Sequence, residues 1–467
     1  MKRFLIALLS PCLLLAQKTT TPTAGEVIET GKILDHVTCK QRPEQSYALY
    51  LPSNYSPARR WPIVYSFDPA ARGTLPLELQ KEAAERYGYI LGASNNSRNG
   101  PWKPEAEAAD AMVTDTQTRF SIDEHRVYFA GFSGGSRVAS QLALQCQCAA
   151  GVLLSGAGFP TGRTPARDSA FAVFSAVGNI DFNYSEMIPL QDALEKVGAP
   201  HWLRIFDGPH EWAPADAMDE ALAWFRLQAM KTLREPRDAQ FVESQFAKAK
   251  TRADTLEKSG DVLNAWREYL QIEGTYESLL EVGSIRVQAK ALGKEKSVRD
   301  YTKRERGEFE EQARLAAEIS SRIFAPPAED SPLSETDQAL QTRIQLLRRQ
   351  AEQEKREERA RVYKRALADV FAQAAEAGED ALREKNFQTA IRDFLCATQA
   401  QPDSQWALRG LAVAEALAGK RNDAISTLRH AREKSKDRRS FDKWLKEEAA
   451  FDRIRSTPEF QTLLNAN

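Results

Sequence analysis

The chain has 467 residues, enough for two or three domains. Lysine and arginine number 64 against 65 acidic residues, a formal net charge of −1, so no overall basic balance points to nucleic acid. Beyond the first residues no segment is apolar over a length that spans a bilayer.

The chain opens with two positive charges, Lys2 and Arg3, ahead of a short apolar run that ends at Ala16. This is the pattern of a secretory signal peptide, with cleavage expected after Ala16 and an exported, periplasmic or extracellular product. A lipoprotein reading would use Cys12, but Pro11 and the short run before it fit that poorly. Export permits disulfides. Cys146 or Cys148 could pair with Cys39, yet four cysteines after Ala16 are near background and free buried thiols are the expectation.

The first strands are predicted at Tyr47–Pro52 and Trp61–Phe67. The loop Asp68–Gly73 follows the second of these. The apolar stretch Tyr89–Ala93 is a further strand, and it runs into Ser94–Trp102, a loop dense in amide, hydroxyl and guanidinium groups. Asn96, Arg98 and Trp102 on that loop suit a polar substrate; a solvated turn is the plain alternative.

Arg126 to Gly135 is the most informative stretch. A run of β-formers enters Gly-x-Ser-x-Gly, and a helical pattern opens at Val138, Ala139 and Leu142. Strand, tight turn and helix put Ser133 at the apex of a strained turn, with its hydroxyl above a sheet and a helix N-terminus behind it. A serine needs a base. Of five histidines, His125 lies at the wrong end of the elbow strand, His36 precedes the first strand, and His430 lies far toward the C-terminus. His201 starts the buried-looking strand Trp202–Phe206, whereas His210 sits in the loop after it, where an exposed base belongs. The strand Phe171–Val177 ends at Gly178-Asn179-Ile180-Asp181, so Asp181 is the candidate third member, 48 residues after Ser133 and 29 before His210. Asp207 and Glu211 compete by proximity, but on the same loop neither faces the ring from beneath. An oxyanion needs two N–H donors. Gly134 supplies one. Pro69 has none to give, so Ala70 is the candidate for the other, with Ala71 next.

On the opening strand, the Arg126–Gly135 elbow and Gly208-Pro209-His210-Glu211-Trp212, the segment from about Ser46 to Leu227 resembles the α/β-hydrolase superfamily, closest to its esterase-D, feruloyl-esterase and polyhydroxybutyrate-depolymerase-like group. The resemblance implies an eight-stranded, mostly parallel sheet, hydrolysis through an acyl-enzyme, and neither metal nor organic cofactor. Many members carry His-Gly where this chain has Asp68-Pro69, which weakens the oxyanion assignment.

Composition changes near Met230: glycine and aromatics thin out and Glu, Lys, Arg, Ala and Leu dominate. Charged stretches such as Gln353–Arg359 read as solvated helix faces. The only strong break is Phe324–Pro332. Near the C-terminus Ala390, Ile391, Phe394 and Ala397 recur 34 residues on as Ala424, Ile425, Leu428 and Ala431. This resembles the tetratricopeptide repeat, whose arrays present a concave face to peptides or proteins. Gly260, Val262, Ala265 and Tyr269 hint at a similar unit.

The fold expected is therefore α/β, a mostly parallel sheet flanked by helices, followed by an all-α helical-repeat region. The division is 1–16 signal peptide, 17–234 catalytic domain, 235–334 helical region, and 335–467 long helix plus repeats. Repeat arrays seldom complete another domain's active site, so the helical half is expected to stand apart from the catalytic groups. The function expected is an exported serine hydrolase acting on small or polymeric carboxylic esters through Ser133, Asp181 and His210. No metal, nucleic acid or transmembrane segment is expected, and a protein partner would bind the repeats. The rival readings are a serine peptidase on the same groups, and a degenerate hydrolase scaffold whose repeats do the work.

Overall fold

A computed structural model describes residues 29–146, 148–167, 169, 171–323, 333–435 and 437–465. The signal-peptide expectation at 1–16 lies outside the described residues.

Eight strands form one sheet: β1 (Ile33–Thr38), β2 (Ser46–Tyr50), β3 (Trp61–Phe67), β4 (Ile90–Ser94), β5 (Ile122–Phe132), β6 (Ala149–Ser155), β7 (Ala172–Gly178) and β8 (His201–Phe206). Their order is β1-β2-β4-β3-β5-β6-β7-β8. β2 alone is antiparallel to its neighbours; β4 through β8 pair in parallel. This is the α/β-hydrolase arrangement. The parallel strands are apolar throughout because helices cover both faces. Along β5 the side chains alternate between two cores. Tyr128, Ala130 and Phe132 face one side with α1 (Thr74–Tyr87) and α5 (Ala215–Lys231). Val127 and Phe129 face the other with α2 (Trp102–Arg119), α3 (Gly134–Gln145) and α4 (Tyr184–Val197).

The rest is helical: α6 (Ala239–Lys258), α7 (Val262–Tyr276), α8 (Gly283–Leu292), α9 (Lys296–Ile323), α10 (Leu333–Gln353), α11 (Glu357–Arg383), α12 (Phe387–Ala400), α13 (Gln405–Leu417), α14 (Arg421–Lys434), α15 (Arg438–Glu447) and α16 (Pro458–Asn465). The sequence does change character near 234, but the core does not stop there. Val242, Ala249, Tyr269, Ile272 and Tyr276 share one apolar cluster with Trp202, Trp224, Phe225 and Leu227. Trp224 Nε1 donates to Thr275 Oγ1 at 2.9 Å. β8 is an edge strand, and its Leu203 N–H is taken by the Gln271 side chain of α7, which blocks further strand addition. In the C-terminal part α12 and α14 begin 34 residues apart, and Ala390, Ile391, Phe394 and Ala397 are buried as are Ala424, Ile425, Leu428 and Ala431. Phe394 fills the space left by Gly378 of α11 and Gly410 of α13, where a Cβ would run into its ring.

One disulfide departs from expectation: Cys146 and Cys148 are bonded to each other, not to Cys39. Cys39 and Cys396 are buried outside any disulfide, as expected. Burial pushes the Cys39 thiol up to about 11, with Asp115 adding to it. No described helix is long and apolar enough to cross a membrane.

Candidate active site

β5 is flanked on both sides by parallel partners, so its C-terminal end is held rigidly where the chain turns into α3. At that turn Ser133 has φ 53° and ψ −122°, a region costly for any residue with a side chain. The surroundings enforce it. A Cβ on Gly131 would strike the Gly135 carbonyl, and one on Gly135 would strike the Phe67 carbonyl of β3, so only glycine lets the turn close. Ser133 N–H donates to Ser155 O at 2.9 Å, and the Ser136 hydroxyl donates to Gly131 O at 2.6 Å.

The Ser133 hydroxyl meets His210 Nε2 at 2.9 Å. His210 Nδ1 stands 2.9 Å from each oxygen of Asp181. Asp181 is fully buried and also accepts from Asn183 N–H at 2.8 Å. The three side chains come from the ends of β5, β7 and β8, the C-terminal edge where sites in such sheets belong. The imidazole packs against the tilted rings of Phe132 (4.6 Å between centroids) and Phe182 (4.2 Å).

Gly134 directly follows Ser133 at the start of α3. Ala70 departs from expectation. Its N–H donates to Asp68 Oδ1 at 2.9 Å, and the Ala71 N–H donates to Asp68 O at 3.0 Å. Both candidate amides are engaged by Asp68. Asp68 is buried; it accepts Trp212 Nε1 at 2.8 Å and two bonds from the Arg72 guanidinium at 2.8 Å each. It thereby ties the loop after β3 to the residue two places beyond His210. Asn96 also departs from expectation: its oxygen accepts Ser46 N–H at 2.8 Å and its amide donates to Glu44 O at 3.3 Å, so it braces β2. Arg98 and Trp102 are exposed, and Arg98 forms an isolated bridge with Ala70.

Three contributions escaped the sequence. Asn99 packs so closely on Gly134 that a Cβ there would collide with its side chain. Among the described residues the Asn99 amide makes no side-chain hydrogen bond. Phe182, adjacent to Asp181, was findable only as an aromatic beside a catalytic candidate. The third is the helical half, which does not stand apart. Gln312 of α9 donates to Phe182 O at 2.7 Å, and Arg365 of α11 donates to Asn179 O at 3.4 Å. Farther along α11, Glu376 lies within electrostatic reach of His210. Burial raises its carboxyl above the ordinary range and Glu379 adds to that, while His210 pulls it down.

No family model matches the chain, and no curated protein matches it. Solved structures do resemble it over the sheet-bearing part. S-formylglutathione hydrolase FrmB from Staphylococcus aureus is 14% identical, with 43% of this chain and 99% of that one covered, at a TM-score of 0.34. A ferulic acid esterase is 17% identical over 42% of this chain and 97% of its own, at 0.35. The carboxylesterase EstE1, cloned from a metagenomic library, is 14% identical over 43% and 91%, at 0.35. The fold stated above rests on strand order and connection, not on likenesses of this size.

Proposed function

We propose that the chain is an exported serine hydrolase that cleaves carboxylic esters through an acyl-enzyme. The observation that carries the reading is the continuous link Ser133 Oγ–His210 Nε2 and His210 Nδ1–Asp181, each at 2.9 Å, ending on a serine at positive φ. In this reading His210 takes the serine proton as Oγ attacks the ester carbonyl. Buried Asp181 holds the imidazole in the tautomer that presents Nε2 as acceptor, and stabilises the cation that forms. The carbonyl oxygen gains negative charge and is met by the Gly134 N–H, the Ala70 and Ala71 amides being engaged by Asp68; the Asn99 side chain, whose oxygen faces Gly134, serves as the second donor on turning its Nδ2 inward. His210 then protonates the departing alcohol. Water, activated by the same base, attacks the acyl-serine and releases the acid.

Export is supported by the pattern of Met1–Ala16 and agrees with the Cys146–Cys148 disulfide. The helices from α11 to α14 read as tetratricopeptide-like, on the 34-residue offset and the Phe394 interlock, with a protein or peptide as the partner of their concave face.

A fluorophosphonate probe tests the catalytic reading. It should label the full chain stoichiometrically and leave Ser133→Ala unlabelled. An unlabelled wild type would favour the scaffold reading. A panel of nitrophenyl esters against peptide anilides separates esterase from peptidase.

A further inference from the structure

We propose that the helical half is part of the catalytic apparatus: Gln312 and Arg365 are positioning residues that hold the Asp181 loop against His210. The inference rests on the catalytic reading above and names what holds its acid in place.

The loop from Asn179 to Tyr184 has two sides. On one, Asp181 bonds to His210 and the Phe182 ring packs on the imidazole. On the other, its carbonyls turn toward the helices. Phe182 O accepts Gln312 Nε2 at 2.7 Å and Asn179 O accepts Arg365 Nη1 at 3.4 Å. Tyr184 OH donates to Glu305 at 3.1 Å, and the Arg365 guanidinium lies 4.6 Å over the Tyr184 ring. Phe182 therefore links the two sides: α9 grips its backbone while its ring packs on the base.

Gln312 and Arg365 are each 2% exposed. Each leaves one polar atom without a partner, Gln312 Oε1 and Arg365 Nε. A buried, half-satisfied amide and guanidinium are poor choices for simple packing. They are good choices for supplying N–H donors to the backbone carbonyls of the loop they pack against. Arg365 is itself held by Glu308 at 3.3 Å, and Glu305, which accepts from Tyr184, by Arg267 at 2.7 Å. α11 then runs on. Eleven residues, about three turns, separate Arg365 from Glu376, which places both near one helix face.

The test uses the full chain. Gln312→Met and Arg365→Met keep volume and remove the donors; Arg365→Lys restores one. Thr275→Val is the control, since it breaks a contact between the two halves that touches no catalytic group. Rates are counted per fluorophosphonate-titrated site, so a smaller folded fraction does not register. The Met variants should lose on the order of 10- to 100-fold in kcat with KM nearly unchanged. Arg365→Lys should recover part of that, and Thr275→Val should match wild type. Independently of turnover, the low-field proton resonance of the His210–Asp181 hydrogen bond, seen with ¹⁵N-histidine labelling, should shift or broaden in Gln312→Met. Unchanged kcat and an unchanged resonance in both Met variants would overturn the proposal. A wild type that shows the resonance but neither labelling nor turnover would instead overturn the catalytic reading and leave the positioning claim to stand on the resonance alone.

Discussion

Replacing Ser133 by alanine and by glycine separates strain from chemistry. Both variants lose the bond to His210, worth about 1 kcal/mol, so that loss cancels in the comparison. At an ordinary position glycine is less stable than alanine by roughly 0.5–1 kcal/mol. Here the residue sits at φ 53° and ψ −122°. A side chain in such a region carries about 1–3 kcal/mol of strain, which glycine relieves. The difference favours Ser133→Gly over Ser133→Ala by about 1 kcal/mol, a reversal of the usual sign. Urea unfolding followed by tryptophan fluorescence measures it, with midpoints compared at a common slope. Both proteins should be inactive, so activity cannot bias the comparison. If glycine proves the less stable by half a kilocalorie or more, the elbow stores no strain, and the argument that Gly131 and Gly135 force Ser133 into that geometry fails.

Three further outcomes are expected. Ser133→Ala and His210→Ala should each lose on the order of 10⁴- to 10⁶-fold in kcat on a short activated ester, and Asp181→Asn somewhat less. Asn99→Ala should lower kcat by about 10²- to 10³-fold if its amide meets the oxyanion, with labelling at Ser133 retained but slowed; full kcat would remove Asn99 from the site. Phe394→Ala should cost about 3–5 kcal/mol in the C-terminal helices, read as hydrogen exchange confined to residues 371–417; protection equal to wild type there would contradict the interlock.

The sequence made the elbow readable because a strand, a glycine turn and an amphipathic helix occur together within twenty residues, and each is a local signal. His210 and Asp181 followed from elimination and from chain order. What escaped was settled by side chains reaching backbone at a distance. Asp68 reads as an oddity in a motif; nothing in the string says that its carboxylate captures the Ala70 amide. Asn96 looks like Asn99 on paper, yet one braces β2 and the other lies on Gly134. The pairing of Cys146 with Cys148 depends on how the chain leaves α3. Gln312 and Arg365 sit in helices so rich in charge that a solvated face is the natural reading, and only the tertiary packing reveals two of those polar groups turned inward.

Eleven of the seventeen residues of α5 are buried, too many for a helix with one side on water. Phe225 answers to the sheet, while Trp224 answers to both the sheet and α7. A substitution that improves one fit must be tolerated by the other. The drift normally open to a surface helix is closed to this one, and a hydrolase body borrowed from elsewhere would meet α6 and α7 with a mismatched surface. The sheet-bearing and helical parts of this chain are therefore fitted to one another across α5 rather than exchangeable modules.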